Sequence, residues 1–252
     1  MKKVLILLLI SSFCFAQEVK RKLVWEENFD TKNLNEKDWN FEVGDGCPNL
    51  CGFGNNERQI YTKTNHQFKD GDLVIEAKKE GNKYTSTKIT TKGKKEFLYG
   101  RIEARAKLPV GHGLWPAFWM LGANIDEVHW PKTGEIDILE YIGRDPGMVY
   151  TTLHTQDSHG NTINTKRTPF PNIEEGYHVY AIEWTKEKID FFVDETLVYT
   201  FNPPVKNDDT WPFNKPFYII VNLAIGGNFG GPEVDDKILP QKYFVDYVRV
   251  YQ

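Results

Sequence analysis

Several common kinds of protein are excluded by what this chain has little of. Long runs of Ala, Leu, Glu and Lys are scarce and helical periodicity is weak throughout, so helices are not the main building element. After Ile10 there is no further long apolar run, so the mature chain is expected to be soluble and not inserted in a membrane. Only three cysteines occur, at 14, 47 and 51, with no neighbouring His or second Cys pair of the kind a zinc site needs. No charge sign dominates: 31 Lys and Arg stand against 35 Asp and Glu, for a net charge of −4. The charges are interspersed and the pI is near 5.9. A nucleic-acid binder would show a basic patch or stripe, and none is present.

The N-terminus reads as a secretory signal peptide over residues 1–16. Lys2 and Lys3 precede the apolar run Val4 to Ile10, and small residues lead to a cut after Ala16. Bulky Phe13 disfavours a lipid-modified Cys14. Cys47 and Cys51 then remain, four positions apart in an exported chain, which suits a disulfide that stiffens a surface loop without holding the core.

The mature chain reads as strands separated by turns. Leu73 to Ala77, Tyr84 to Thr91, Leu98 to Leu108, Tyr218 to Ile225 and Phe244 to Tyr251 have strand character. Val179 to Trp184 and Ile189 to Val193 read as a hairpin, and a short helical turn is expected near Glu233 to Leu239. With no linker and no repeat, a single all-β domain, sandwich or barrel, is expected.

Against that background one segment stands out: Gly134-Glu135-Ile136-Asp137-Ile138-Leu139-Glu140. Three carboxylates lie among Ile and Leu in a stretch apolar enough to be buried, and unpaired buried carboxylates are costly. On a helix, at about 100° per residue, Glu135 and Asp137 would lie on nearly opposite sides. On a strand they share a face, while Glu140, an odd number of positions from Glu135, points to the other. One extra residue restores it, so a β-bulge is predicted at Ile138-Leu139. Retaining glycosidases set two carboxyl groups about 5–5.5 Å apart, one as nucleophile and one as acid/base. Three crowded acids cannot all ionise cheaply, so at least one should titrate high. A solvated acidic face is the alternative. A calcium site within this segment would need a loop, which it does not resemble.

This motif resembles the signature of glycoside hydrolase family 16 in the bulged form typical of laminarinases (endo-1,3-β-glucanases); the related lichenase form lacks the extra residue. Similar segments follow in the same order: Gly54 to Glu57 with Tyr61-Thr62, Tyr99 to Arg105, Gly113 to Leu121, and Asn222 to Gly227. The resemblance implies a β-jelly-roll sandwich of two antiparallel sheets with an open concave cleft, the catalytic domain spanning 17–252. It implies a secreted monomer, extracellular or periplasmic, that cuts 1,3-β-glucan internally with retention and needs no catalytic cofactor. Glu135 would be the nucleophile, Asp137 its helper and Glu140 the acid/base.

By the same resemblance Trp115 and Trp119 stack on sugar, and Asn55, Glu103, Arg105, His154 and Asn222 line the cleft. Two positions apart on a strand, Glu103 and Arg105 could pair with one another there or form a functionless surface ion pair. A structural calcium would be held on the convex side by Glu27, the Gly71 carbonyl and Asp246. Segments 123–131 and 142–145 show no family constant and border the cleft. Alternatives are a family member acting on mixed-linkage glucan or another polysaccharide, and a non-catalytic glucan-binding module, against which retention of all three acids argues.

Overall fold

The computed structural model describes residues 21–252; the expected signal peptide, with Cys14, lies outside the described residues. Within them the strands form two stacked sheets. The first has eight strands. Its main path runs Thr165–Pro169, Met148–His154, Glu135–Glu140, Leu114–Gly122, Phe217–Ile225, Lys88–Thr90 and Asn40–Glu42, with Glu96–Phe97 added on Phe217–Ile225. The second, of ten strands, is built around Gly100–Lys107, flanked by His178–Trp184 and Gln241–Tyr251. Pairing is antiparallel except where Gln59–Tyr61 runs parallel to Lys83–Ser86. This is the jelly-roll sandwich that was expected.

Alternation explains the sandwich. In Leu114–Gly122 the side chains of Leu114, Phe118 and Met120 are fully buried, whereas Trp115 and Trp119 are half-buried on the opposite face. In Gly100–Lys107, Ile102, Ala104 and Ala106 are fully buried. These inner faces share one core with Trp39, Trp184, Phe217 and Tyr243. Each large side chain removed from water contributes about 1.5–3 kcal/mol.

The expected hairpin forms, with Tyr180 opposite Val193 and Trp184 opposite Ile189. The helical turn near 233–239 is a 3-10 turn at Asp236–Ile238, and Cys47 and Cys51 form the disulfide. Two strand readings change. The run 84–91 divides at Thr87, whose hydroxyl donates to the Thr62 carbonyl; its two halves join different sheets. In the last strand the register shifts between Val245 and Tyr247, so Val245 and Val248 are both buried although simple alternation sets them on opposite faces.

Candidate active site

The central strand Glu135–Glu140 lies between Leu114–Gly122 and Met148–His154 in the eight-stranded sheet. Gly134 leads into it at φ +82°, where a Cβ would come within 2.7 Å of Pro212. Asp137 pairs with Trp119, but the next partners are Leu139 and Phe118, so Ile138 is the extra residue. On the other side Asp137 faces Thr152 and Glu140 faces Tyr150, two residues against one. The bulge thus falls at Ile138-Leu139, as the parity argument required. Ile138 and Leu139 both enter the core.

All three acids point away from that core and remain sparingly accessible: Asp137 is 3% and Glu140 8% exposed. Trp115 Nε1 donates to Glu140 Oε1 at 3.1 Å, and Thr152 Oγ1 donates to Oε2 at 3.2 Å. Burial, reinforced by the Glu135 charge, pushes the Glu140 carboxyl up to about 8. Glu135 is pushed up to about 7 by burial, against the pull of hydrogen bonds from Asp137 and Trp130 and the charge of Lys88. Asp137 is raised well above its usual range, by burial and by the charges of the two glutamates. A protonated Asp137 can therefore donate to an ionised Glu135, while Glu140 keeps a proton to give away. That is a base and an acid on one face, set apart by environment.

His154 is the cross-strand partner of Glu135. Its Nε2 lies 3.7 Å from Glu135 Oε1 and 3.5 Å from Asp137 Oδ2. Burial, with help from His159, lowers its pKa to about 4, so the ring is neutral at neutral pH. Trp119 Nε1 donates to Asn222 Oδ1 at 2.7 Å, and Asn222 Nδ2 donates to the Tyr61 hydroxyl at 3.0 Å. Tyr61 meets Glu57, whose other oxygen accepts from Asn55 at 3.3 Å. One hydrogen-bonded chain therefore runs from Asn55 through Asn222 to Trp119. The structure brings together the three acids, Trp115, Trp119, His154, Asn222 and Asn55.

Glu103 and Arg105 require a correction. They lie in Gly100–Lys107 of the other sheet, on the face opposite buried Ile102, Ala104 and Ala106, so they do not line the cleft. Nor do they pair with one another: Glu103 accepts from Arg101 Nε at 2.6 Å, and Arg105 pairs with Asp246.

Three contributors were missed. Trp130 Nε1 donates to Glu135 Oε2 at 2.9 Å, and its ring packs against His154 and His159. Lys88 sits beneath aromatic rings, 5.2 Å from the centre of Trp119 and 4.8 Å from that of Phe53, and is paired with Glu42. Phe229 meets both Trp115 and Tyr150 edge-on beside Glu140. Trp130 lies in a stretch without periodicity; a lone Lys in a strand of Thr and Ile was the signal for Lys88.

Comparison with known proteins agrees with this geometry. The family model of glycosyl hydrolases family 16 matches residues 53–248. A β-glucanase of Rhodothermus marinus is 41% identical over 249 residues, covering 92% of this chain and 85% of that protein. The crystal structure of a laminarinase from Flavobacterium sp. UMI-01 is similar with a TM-score of 0.90 and 69% identity, over 92% of this chain and 100% of that one. The endo-β-1,3-glucanase of Pyrococcus furiosus gives a TM-score of 0.84 at 40% identity, over 92% of this chain and 94% of that one. With the family model matched over most of its length and its acids disposed on one bulged strand, the chain belongs to glycosyl hydrolases family 16.

Proposed function

We propose that this protein hydrolyses 1,3-β-glucan within the chain and with retention of anomeric configuration. Glu135 attacks the anomeric carbon. Glu140 protonates the leaving glycosidic oxygen and afterwards takes a proton from the water that releases the glycosyl-enzyme. Asp137 donates to Glu135 and tempers its charge. The observation that carries this reading is the bulge at Ile138-Leu139, which turns Glu140 to the same face as Glu135 and under the indole of Trp115. The relatives named for laminarin or 1,3-β-glucan hydrolysis support the substrate. Trp115 and Trp119 offer indole faces suited to the C–H side of a pyranose. Export follows from the leader read over residues 1–16.

Glu135→Gln should abolish hydrolysis of laminarin while leaving laminarin binding intact. A variant that still hydrolyses at the normal rate would remove Glu135 from the nucleophile role. A mixture of oligosaccharides from the first minutes supports internal cutting; a single small product from the start contradicts it.

A structural calcium is a separate proposal. Glu27 faces Val248 and Leu73 faces Val245, so Glu27, Gly71 and Asp246 gather at one corner of the larger sheet. The donors are oxygen atoms, which suits calcium. Glu27 Oε1 already accepts from the Phe29 N–H, and Asp246 is paired with Arg105, so an ion would have to draw Asp246 from Arg105. Melting temperatures with calcium and with a chelator test it; identical values rule the site out.

A further inference from the structure

We propose that Glu135, Asp137 and His154 also form a site for a divalent transition metal of the zinc type, and that an ion held there shuts the enzyme off. One donor atom from each of the three lies within 4.8 Å of the other two. The His154 Nε2 distances, 3.7 Å to Glu135 Oε1 and 3.5 Å to Asp137 Oδ2, are close to what a shared ion requires. Tetrahedral zinc with bonds of about 2.0–2.2 Å sets neighbouring donor atoms about 3.3 Å apart, so the two His154 contacts need to contract by only a few tenths of an ångström, and the two carboxylates, within 4.8 Å, draw together around the ion.

A second observation points to the same spot. Asp137 is 3% exposed, and its Oδ2, the oxygen nearest His154, is buried without a hydrogen-bond partner. A metal would displace the proton that Asp137 otherwise shares with Glu135 and would give this buried oxygen the partner it lacks. The other oxygen atoms do not compete: Glu135 Oε2 is taken by Trp130, which leaves Oε1 turned to His154. Register fixes the arrangement, because Glu135 and His154 are cross-strand partners and Asp137 stands two positions along the same face.

The donor set selects the metal class. Calcium and magnesium prefer shells of oxygen, whereas one imidazole with two carboxylates suits zinc, copper or nickel. Three protein ligands leave a fourth position for water. Because Glu135 is one ligand, metal and the reacting sugar exclude each other. Binding of the metal stands on the geometry alone; only its effect on hydrolysis rests on the function proposed above.

The test is calorimetric titration of the purified protein with zinc chloride, alongside laminarin hydrolysis at several zinc concentrations. Wild type should bind one zinc, and inhibition should be competitive with laminarin and reversed by a chelator. His154→Asn and, independently, Asp137→Asn should each weaken zinc binding by about tenfold or more, with melting curves verifying that both are folded. Glu140→Gln should bind zinc like wild type although it loses hydrolysis. Absence of saturable zinc binding to wild type, or undiminished affinity in both ligand variants, overturns the proposal. If zinc binds as described but wild type cleaves no β-glucan, the site stands and the function proposed above fails.

Discussion

Trp115 donates through its indole Nε1 to Glu140 Oε1 at 3.1 Å, although on a regular strand Glu140 would point into the core. The bulge makes this contact, and the contact tunes the acid. Burial raises the Glu140 carboxyl to about 8, and the indole N–H works against that by favouring the ionised form. On the mechanism proposed above hydrolysis needs Glu140 protonated and Glu135 ionised, so kcat/KM should fall on the alkaline side as pH passes about 8. Trp115→Phe keeps an aromatic ring but removes the donor. Its alkaline limb should move to higher pH, and a pH profile of kcat/KM on laminarin reads this directly. A limb moving downward would mean that the indole does not act on Glu140.

Glu140 also links function to stability. An unfolded glutamate titrates near about 4.3 and the folded one near about 8, so the folded state holds a proton that the unfolded state releases between these values. The stability from this group is full below about pH 4 and is lost as pH rises towards 8. Glu140→Gln removes the charge and keeps the shape. It should melt higher than wild type at pH 8, by about 2–4 °C for each 1 kcal/mol relieved, and the difference should close near pH 4. Differential scanning calorimetry at both pH values checks it.

Lys88 would act on the proposed reaction through Trp119 and Glu135. Its ammonium supports the ring of Trp119 and its charge favours ionised Glu135. Lys88→Met should raise KM about fivefold, equivalent to roughly 1 kcal/mol of lost cation–π support. It should also move the acid limb of the pH profile upward, because Glu135 then loses its proton at higher pH. Steady-state kinetics between pH 5 and 9 separates the two effects.

Much of the site could be read from residue order because the side-chain period of a strand is fixed. Counting from Glu135 to Glu140 was enough to require a bulge, and buried Ile138 and Leu139 show where the extra residue went. The same period sets Trp115 and Trp119, four positions apart, on one face. It reports a shared face, however, and not which sheet of a sandwich carries that face. Glu103 and Arg105 have the alternation of a cleft strand yet belong to the other sheet. The shift at Asp246 was hidden because Phe244 to Tyr251 alternates smoothly in sequence; it became visible only through the partners of Val245 and Tyr247. Trp130 was illegible for a different reason. Its stretch follows no period, and only the folded chain brings its indole to Glu135.

The central claim is that Glu135 and Glu140, brought to one face by the bulge, act as nucleophile and acid/base of a retaining enzyme. Proton NMR of the anomeric signals in the first minutes of laminarin hydrolysis tests it most directly. The account predicts that the β-anomer of the new reducing end appears first and the α-anomer grows in later by mutarotation. An α-anomer released first would mean inversion and would contradict the account.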